Sequence, residues 1–154
     1  MKKIAVYAGS FDPFTNGHMN IVGEAVELFD EVYVALASNS NKNRTTDINK
    51  MREAIIKCVE ERGIENCHVE ICDGLIADFC KEKNAEYLIR GLRNTSDYLY
   101  EENIAKINNE INPGLKTIYF RAYNEVISSS MVRELKKHGK DISKYIPNEI
   151  ALIL

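Results

Sequence analysis

The 154-residue sequence has no tryptophan, only three prolines, and no apolar run long enough to cross a membrane. Its longest apolar runs, such as residues 32–37, fall far short of the roughly 18 residues that a membrane-spanning helix requires. Lys2 and Lys3 precede a short apolar segment, but this ends at Gly9, before it reaches the length of a signal-peptide core. We therefore expect a cytoplasmic protein with no membrane partner.

The sequence also lacks a dominant charge and any metal-binding or redox cysteine motif. Twenty lysines and arginines stand against 23 aspartates and glutamates, for a net charge of -3, which argues against a protein that coats nucleic acid. An anion site must therefore come from a local concentration of cations. The four cysteines contain no C-x-x-C pair, so buried free thiols are predicted at Cys58, Cys67, Cys72 and Cys80.

Short apolar runs alternate with longer amphipathic segments along the chain. The apolar runs predict about five strands, at 3–8, 32–38, 68–72, 86–89 and 116–121. The segments between and after them predict helices at 18–29, 49–62, 75–83, 98–110 and 130–138. Strands separated by helices pair in parallel. We therefore predict an α/β protein, with one domain over 1–154 and a Rossmann-like open parallel sheet of about five strands with helices on both faces.

Ligands of such sheets bind outside the carboxyl ends of the strands, so the segment after the first strand is a candidate site. It reads G-S-F-D-P-F-T-N-G-H from Gly9 to His18. Thr15 can cap the following helix, whose free amides attract anions, and His18 then lies one turn into it. An ordinary capped helix with Asn16-Gly17 as a tight turn, and an incidental surface histidine, are the alternatives.

Two later junctions carry similar signals. Arg90 and Arg93 flank a glycine at the end of the fourth strand, where they could clamp phosphates or could pair with Asp97 and Glu101. Three serines at 128–130 open the last long helix, as a phosphate seat or as ordinary caps. All three junctions belong to the same edge of the predicted sheet, which favours a phosphate-binding site there.

Together the motifs resemble those of bacterial phosphopantetheine adenylyltransferases. They are G-S-F-D-P at 9–13, T-x-G-H at 15–18, R-G-L-R at 90–93 and I-S-S-S at 127–130, and the resemblance extends over nearly the whole chain. It implies transfer of AMP from ATP to 4'-phosphopantetheine with Mg²⁺ as cofactor, giving dephospho-coenzyme A and pyrophosphate. It also implies a homohexamer and feedback binding of coenzyme A.

The resemblance further implies roles for individual residues. ATP would contact Ser10, Phe11, His18, Gly91, Leu92, Arg93, Glu101, Asn124, Glu125, Val126, Ile127, Ser128, Ser129 and Ser130. The acceptor would contact Ser10, Lys42, Ile76, Arg90 and Asn108. His18, Lys42 and Arg93 would be catalytic, and no residue is expected to bind metal. The loop at 41–49 departs from the family pattern, because it lacks the usual apolar-Ser/Thr-x-Glu-Glu-Arg run.

The inventory favours direct in-line attack by the acceptor phosphate, because no activated cysteine or serine-histidine-acid set is evident. Two alternatives stay open at this point. The chain could adenylylate nicotinamide mononucleotide or use CTP with a small phosphorylated alcohol, or it could be a nucleotide-binding sensor without catalysis. A nucleic-acid partner is not expected, since aromatic and basic residues do not interleave.

Overall fold

The computed structural model describes residues 1–38, 43–122 and 126–154. In chain order the elements are β1 (Ile4–Gly9), α1 (Asn16–Leu28), β2 (Glu31–Ala37), α2 (Ile48–Glu61), β3 (Cys67–Cys72), α3 (Ile76–Glu82), β4 (Tyr87–Leu92), α4 (Thr95–Ile111), β5 (Lys116–Arg121), α5 (Ser129–Lys137) and α6 (Asn148–Ala151). β4 extends three residues beyond its predicted end, so Arg90 and Gly91 lie within the strand and not after it.

The five strands form one parallel sheet in the order β3-β2-β1-β4-β5. From β1 the chain moves outward to β3 and then returns to build the other half from β4 to β5. The strand order therefore reverses between β1 and β4, and the segments leaving these two strands diverge and open a crevice. The predicted open α/β fold is confirmed.

The core lies on both faces of this sheet, because alternate residues of each strand point to opposite sides. On one face α1, α2, α5 and α6 pack with buried residues such as Val22, Ile55 and Val132. On the other face α3 packs with Phe79 against Val6. These two layers fix the positions of the helices that begin at the crevice.

The cysteines belong to this framework. All four are free thiols, and Cys58, Cys72 and Cys80 are buried while Cys67 is partly buried. Burial raises the pKa of Cys58, Cys67 and Cys80 to about 12, so these thiols stay protonated near neutral pH. The prediction of free thiols is confirmed, and their role is packing.

Helix α4 is the longest helix among the described residues, yet Glu101 is its only buried residue. Tyr98, Leu99, Tyr100 and Ile107 on the same helix are each at least 43% exposed. Within the residues that the structure describes, no helix is both long and apolar enough to cross a membrane.

Candidate active site

A cleft of about 310 Å³ lies over the carboxyl ends of β1 and β4, where the strand order reverses. His18 of α1, Arg93 after β4 and Ser129 of α5 come from three different junctions, and all three line this cleft. Both α1 and α5 begin at it, with Thr15 and Ser128 as their capping residues. The convergence of junctions that the sequence predicted is therefore present.

His18 is held by the cap of its own helix. The backbone N–H of Thr15 donates to His18 Nδ1 at 3.0 Å, and Thr15 Oγ1 accepts from the His18 backbone N–H at 3.3 Å. Because Nδ1 accepts a hydrogen bond from an amide, the proton of the neutral ring must sit on Nε2. The ring also packs edge-on against Phe11, with centroids 4.9 Å apart. This fixes its orientation at the cleft.

The charge state of His18 follows from its surroundings. Burial, together with the positive charges of Arg90 and Arg93, lowers its pKa to about 3. The imidazole is therefore neutral at physiological pH and offers Nε2–H as a hydrogen-bond donor. It is a poor base and a poor source of protons, which restricts it to stabilising charge on a ligand.

Arg90, on β4, is anchored by two groups beside the cleft. Its Nε and Nη2 donate to the two carboxylate oxygens of Glu101 at 2.8 and 2.7 Å, and its Nη1 donates to the carbonyl oxygen of Ala8. Burial disfavours the charged form, but the hydrogen bond and charge of Glu101 outweigh it and raise the pKa of Arg90. A permanent cation therefore faces the cleft.

Arg93 is attached more loosely. Its Nε donates to Asp97 Oδ2 at 3.2 Å, and its backbone N–H donates to the same oxygen at 3.0 Å. The pairing of both arginines with Asp97 and Glu101, which the sequence left as an alternative to phosphate binding, is thus observed. Because all four residues line the cleft, the pairing also keeps the two guanidinium groups ready for an anion.

The start of α5 supplies further polar groups. Ser128 caps the helix, with its Oγ accepting from the Met131 backbone N–H at 3.1 Å. Ser129 Oγ donates to the carbonyl oxygen of Pro13 at 2.7 Å, so the proton of this hydroxyl is already used in a hydrogen bond within the protein. The first turns of α1 and α5 contain no acidic residue, and both lie within the described chain. Both helix termini are therefore suited to anions.

Gly91 allows β4 and α1 to approach closely. A Cβ atom at this position would lie 2.7 Å from Cδ1 of Ile21. Ile21 lines the cleft together with Gly91, so a larger residue would displace part of its wall.

The predicted site residues fall into three groups. Those that line the cleft are Ser10, Phe11, His18, Arg90, Gly91, Arg93, Glu101, Ile127, Ser128, Ser129 and Ser130. The structure places four others elsewhere: Leu92 beside Tyr98 and Tyr119, Ile76 at the start of α3 and partly buried against the core, Asn108 far along α4, and Val126, which is exposed. Lys42, Asn124 and Glu125 lie outside the described residues. The roles of all three groups toward ATP and the acceptor stay predictions.

Comparisons with known proteins agree with this geometry. Residues 6–135 match the model of the cytidylyltransferase-like family. A phosphopantetheine adenylyltransferase from Cytophaga hutchinsonii is 41% identical over 97% of this chain and 100% of its own length. One from Leptospira biflexa is 40% identical over 97% of this chain and 94% of its own length. The chain belongs to the phosphopantetheine adenylyltransferase family.

A solved structure from Vibrio parahaemolyticus is similar over the whole chain. It carries the provisional name nicotinate-nucleotide adenylyltransferase, and it superposes with a TM-score of 0.72 over 100% of this chain and 92% of its own. At 21% identity this likeness shows the fold alone. Membership of the phosphopantetheine adenylyltransferase family rests on the closer relatives.

Magnesium, which the resemblance to that family implies, would need oxygen ligands from the protein or from ATP. Across the described ranges, no group of three or more His, Cys, Asp or Glu side chains is arranged to bind a metal ion. Asp97 and Glu101, the carboxylates that line the cleft, are engaged by Arg93 and Arg90. These donors do not fit a magnesium ion held by the protein itself.

Among the residues that line this adenylyltransferase-type cleft, Tyr7 and Arg133 were not named as site residues from the sequence. Tyr7, 3% exposed, lies beneath it in edge contact with Phe11, and burial raises its pKa so that it stays protonated. Arg133 lines the cleft from the second turn of α5. Arg133 could have been found, since it lies four residues after Ser129 and therefore on the same face of the helix.

Proposed function

We propose that this protein transfers the adenylyl group of ATP to 4'-phosphopantetheine, releasing dephospho-coenzyme A and pyrophosphate in the cytoplasm. One observation carries the proposal: His18, Arg90, Arg93 and the amino ends of α1 and α5 meet in a single cleft, in a chain whose close relatives bear this enzyme's name. The two reactants are both anions, and the cleft supplies the opposing charge.

The proposed chemistry is a single displacement. An oxygen of the acceptor phosphate attacks the α-phosphorus of ATP, and the bond to the β-phosphate oxygen breaks, so that pyrophosphate leaves. A phosphate monoester is already ionised near neutral pH and needs no general base. The low pKa of His18 fits this scheme, because a neutral imidazole donates from Nε2 and does not take up a proton.

The arginines have separate tasks in this proposal. Arg90 binds the acceptor phosphate and Arg93 binds the phosphates of ATP, each by exchanging a carboxylate oxygen for a phosphate oxygen. Glu101 and Asp97 hold the guanidinium groups in place before the substrates arrive. Such preorganisation aligns two mutually repelling anions. Lys42 is proposed as a third cation at the transition state.

Magnesium in this scheme arrives as the complex of ATP, bound by its phosphates. We also propose that the chain assembles as a homohexamer, supported by the exposed apolar side chains of α4, which a partner subunit would cover. The mass in solution, measured by light scattering after gel filtration, tests this. Coenzyme A contains the product of the reaction, so we propose that it binds the same cleft and inhibits.

The decisive experiment is an assay of the purified protein with Mg²⁺, ATP or CTP, and a panel of phosphorylated acceptors. We expect pyrophosphate release with ATP and 4'-phosphopantetheine together, and none with either alone. Release with nicotinamide mononucleotide, or with CTP and a small phosphorylated alcohol, would assign a different transferase activity. Binding of ATP without pyrophosphate release for any acceptor would make the protein a nucleotide sensor.

A further inference from the structure

Arg44, in the loop before α2, ties that loop to the segment 10–13 after β1. Its Nη1 donates to the carbonyl oxygen of Ser10 at 2.5 Å, and its Nη2 donates to that of Phe11 at 3.3 Å. Its Nε and Nη2 also donate to the carbonyl and hydroxyl oxygens of Thr46, each at 3.2 Å. The side chain is 4% exposed, so this guanidinium is buried with all three nitrogens in use.

A second attachment joins the same two segments. The carboxylate of Asp12 accepts from the backbone N–H and hydroxyl of Thr45, at 2.8 and 3.0 Å. It accepts the same pair of groups from Thr46, at 3.0 and 2.7 Å. Burial alone would raise the pKa of Asp12, but these hydrogen bonds and the charge of Arg44 outweigh it and lower the pKa.

Helix α5 holds the other end of the segment. Arg133 Nη1 donates to the carbonyl oxygen of Asp12 at 2.6 Å, and Ser129 donates to that of Pro13. Each of the four consecutive carbonyl groups from 10 to 13 therefore accepts a hydrogen bond from a side chain that is distant in sequence. A loop with every carbonyl fixed in this way has little freedom to change its conformation.

The fixed conformation is one that the segment would not adopt readily alone. Phe11 has a φ of +47°, in the left-handed region that an aromatic residue rarely occupies. Its ring contacts both Tyr7 and His18 at the cleft, so the position of Phe11 affects the position of the histidine. Arg44 donates to the carbonyl groups on either side of this strained Cα, those of Ser10 and Phe11.

We propose that Arg44 is a positioning residue for the adenylyl-transfer reaction. It does not line the cleft, and it acts by holding Ser10 and Phe11 in the geometry that meets the substrates. This inference rests on the proposed function for the identity of the reaction. Arg44 lies in the 41–49 loop, where the sequence departs from the family pattern.

Arginine is required for this role because of its shape. A planar guanidinium can serve three carbonyl groups and a hydroxyl at once, whereas a lysine ammonium at the same place has a single nitrogen with three donors. Arg44→Lys should therefore keep the charge beside Asp12 and lose part of the fixation. Arg44→Gln loses both.

The test compares these variants with a matched control. Arg62 donates to the carbonyl oxygen of Cys58 at 2.9 Å and to Glu149, but it does not line the cleft. We expect kcat to fall about 10- to 100-fold in Arg44→Gln and by less in Arg44→Lys, with KM for ATP changed less than kcat. Arg62→Lys should keep kcat within about twofold of the wild-type value, although its unfolding temperature falls about as much as that of Arg44→Lys.

A second measurement needs no catalysis. Hydrogen exchange on folded Arg44→Lys without substrate should be faster than in the wild type for amides between 10 and 18, and unchanged there in Arg62→Lys. Unchanged exchange with kcat and KM within about twofold of the wild type, or an equal loss of kcat in the Arg62 control, would refute the positioning role. A wild-type protein that releases no pyrophosphate would refute the proposed function instead, and the exchange result would still stand.

Discussion

Two pairs of arginines surround the cleft, and they have different kinds of partners. Arg44 and Arg133 donate to main-chain carbonyl groups of the segment 10–13. Arg90 and Arg93 pair with carboxylates of α4, although Arg90 also donates to the carbonyl oxygen of Ala8. A carbonyl group is fixed in the chain and neutral, whereas a carboxylate can be replaced by a phosphate of like charge and similar geometry. The first pair therefore shapes the wall of the cleft, and the second pair is the one that we propose meets the ligand.

Exposure separates Arg44 from Arg90 and Arg93, whereas Arg133 is partly buried as they are. The Arg44 side chain is 4% exposed, while Arg90 and Arg93 are 27% and 38% exposed. A guanidinium that only supports the backbone can be closed off from solvent, but one that exchanges partners must be reachable. Residue type does not distinguish the two cases, since each is an arginine.

The largest effect is expected at His18, which lies between the two pairs. In His18→Ala, kcat should fall by two to three orders of magnitude while the Kd for ATP changes little, because a donor that acts mainly in the transition state is lost. Turnover by stopped-time assay and ATP binding by calorimetry measure the two quantities. Near-normal turnover would remove His18 from the chemistry.

Arg90→Lys tests the distinction between the two pairs. We call Arg90 and Arg93 the ligand-facing pair and Arg44 and Arg133 the supporting pair. Loss of the planar fork should raise KM for 4'-phosphopantetheine about tenfold or more, because charge-assisted hydrogen bonds are each worth about 1.5 to 3 kcal/mol. Arg44→Lys should affect kcat more than KM. Steady-state kinetics on both variants decide this, and the same pattern in both would break the comparison.

A smaller effect is expected on stability in acid. The pKa of His18 is about 3 in the folded chain and about 6.5 when unfolded, so the unfolded state binds the extra proton between these values. The stability contributed by the neutral ring is complete above pH 6.5 and declines as the pH falls. By pH 5 the wild type should lose about 1 to 2 kcal/mol more than His18→Asn in urea unfolding. Equal pH slopes for the two proteins would contradict this.

The smallest expected effect is a change in the pKa of His18 when a positive charge of the ligand-facing pair is removed. Arg93→Gln removes a positive charge that disfavours imidazolium, so the pKa of His18 should rise. Arg62→Gln serves as the control, since Arg62 does not line the cleft and is not among the groups that shift this pKa. Nitrogen NMR of the ring across an acid titration measures both, and an equal response to the two substitutions would contradict a direct effect of Arg93 on His18.

Much of the site could be predicted from local pattern. Thr15 and Ser128 are polar residues that precede apolar-periodic segments, a pattern typical of helix caps. In the structure they cap α1 and α5. The alternation of strands and helices places these starts at one edge of a parallel sheet. The end of β4 was missed, because Arg90 and Gly91 are unusual for a strand and pair with β5 only in the assembled sheet.

Periodicity, caps and motifs thus sufficed for the fold, the convergence of the three junctions and the family. Tertiary packing decided which arginines donate to main-chain carbonyl groups and which pair with carboxylates. Arg44 reaches a carbonyl group 34 residues away and Arg133 one 121 residues away, and these contacts exist only once distant segments of the chain have packed together. The hydrogen-bond partner of a side chain over such separations depends on how the helices pack on the sheet. The residues next to that side chain in the sequence do not determine it.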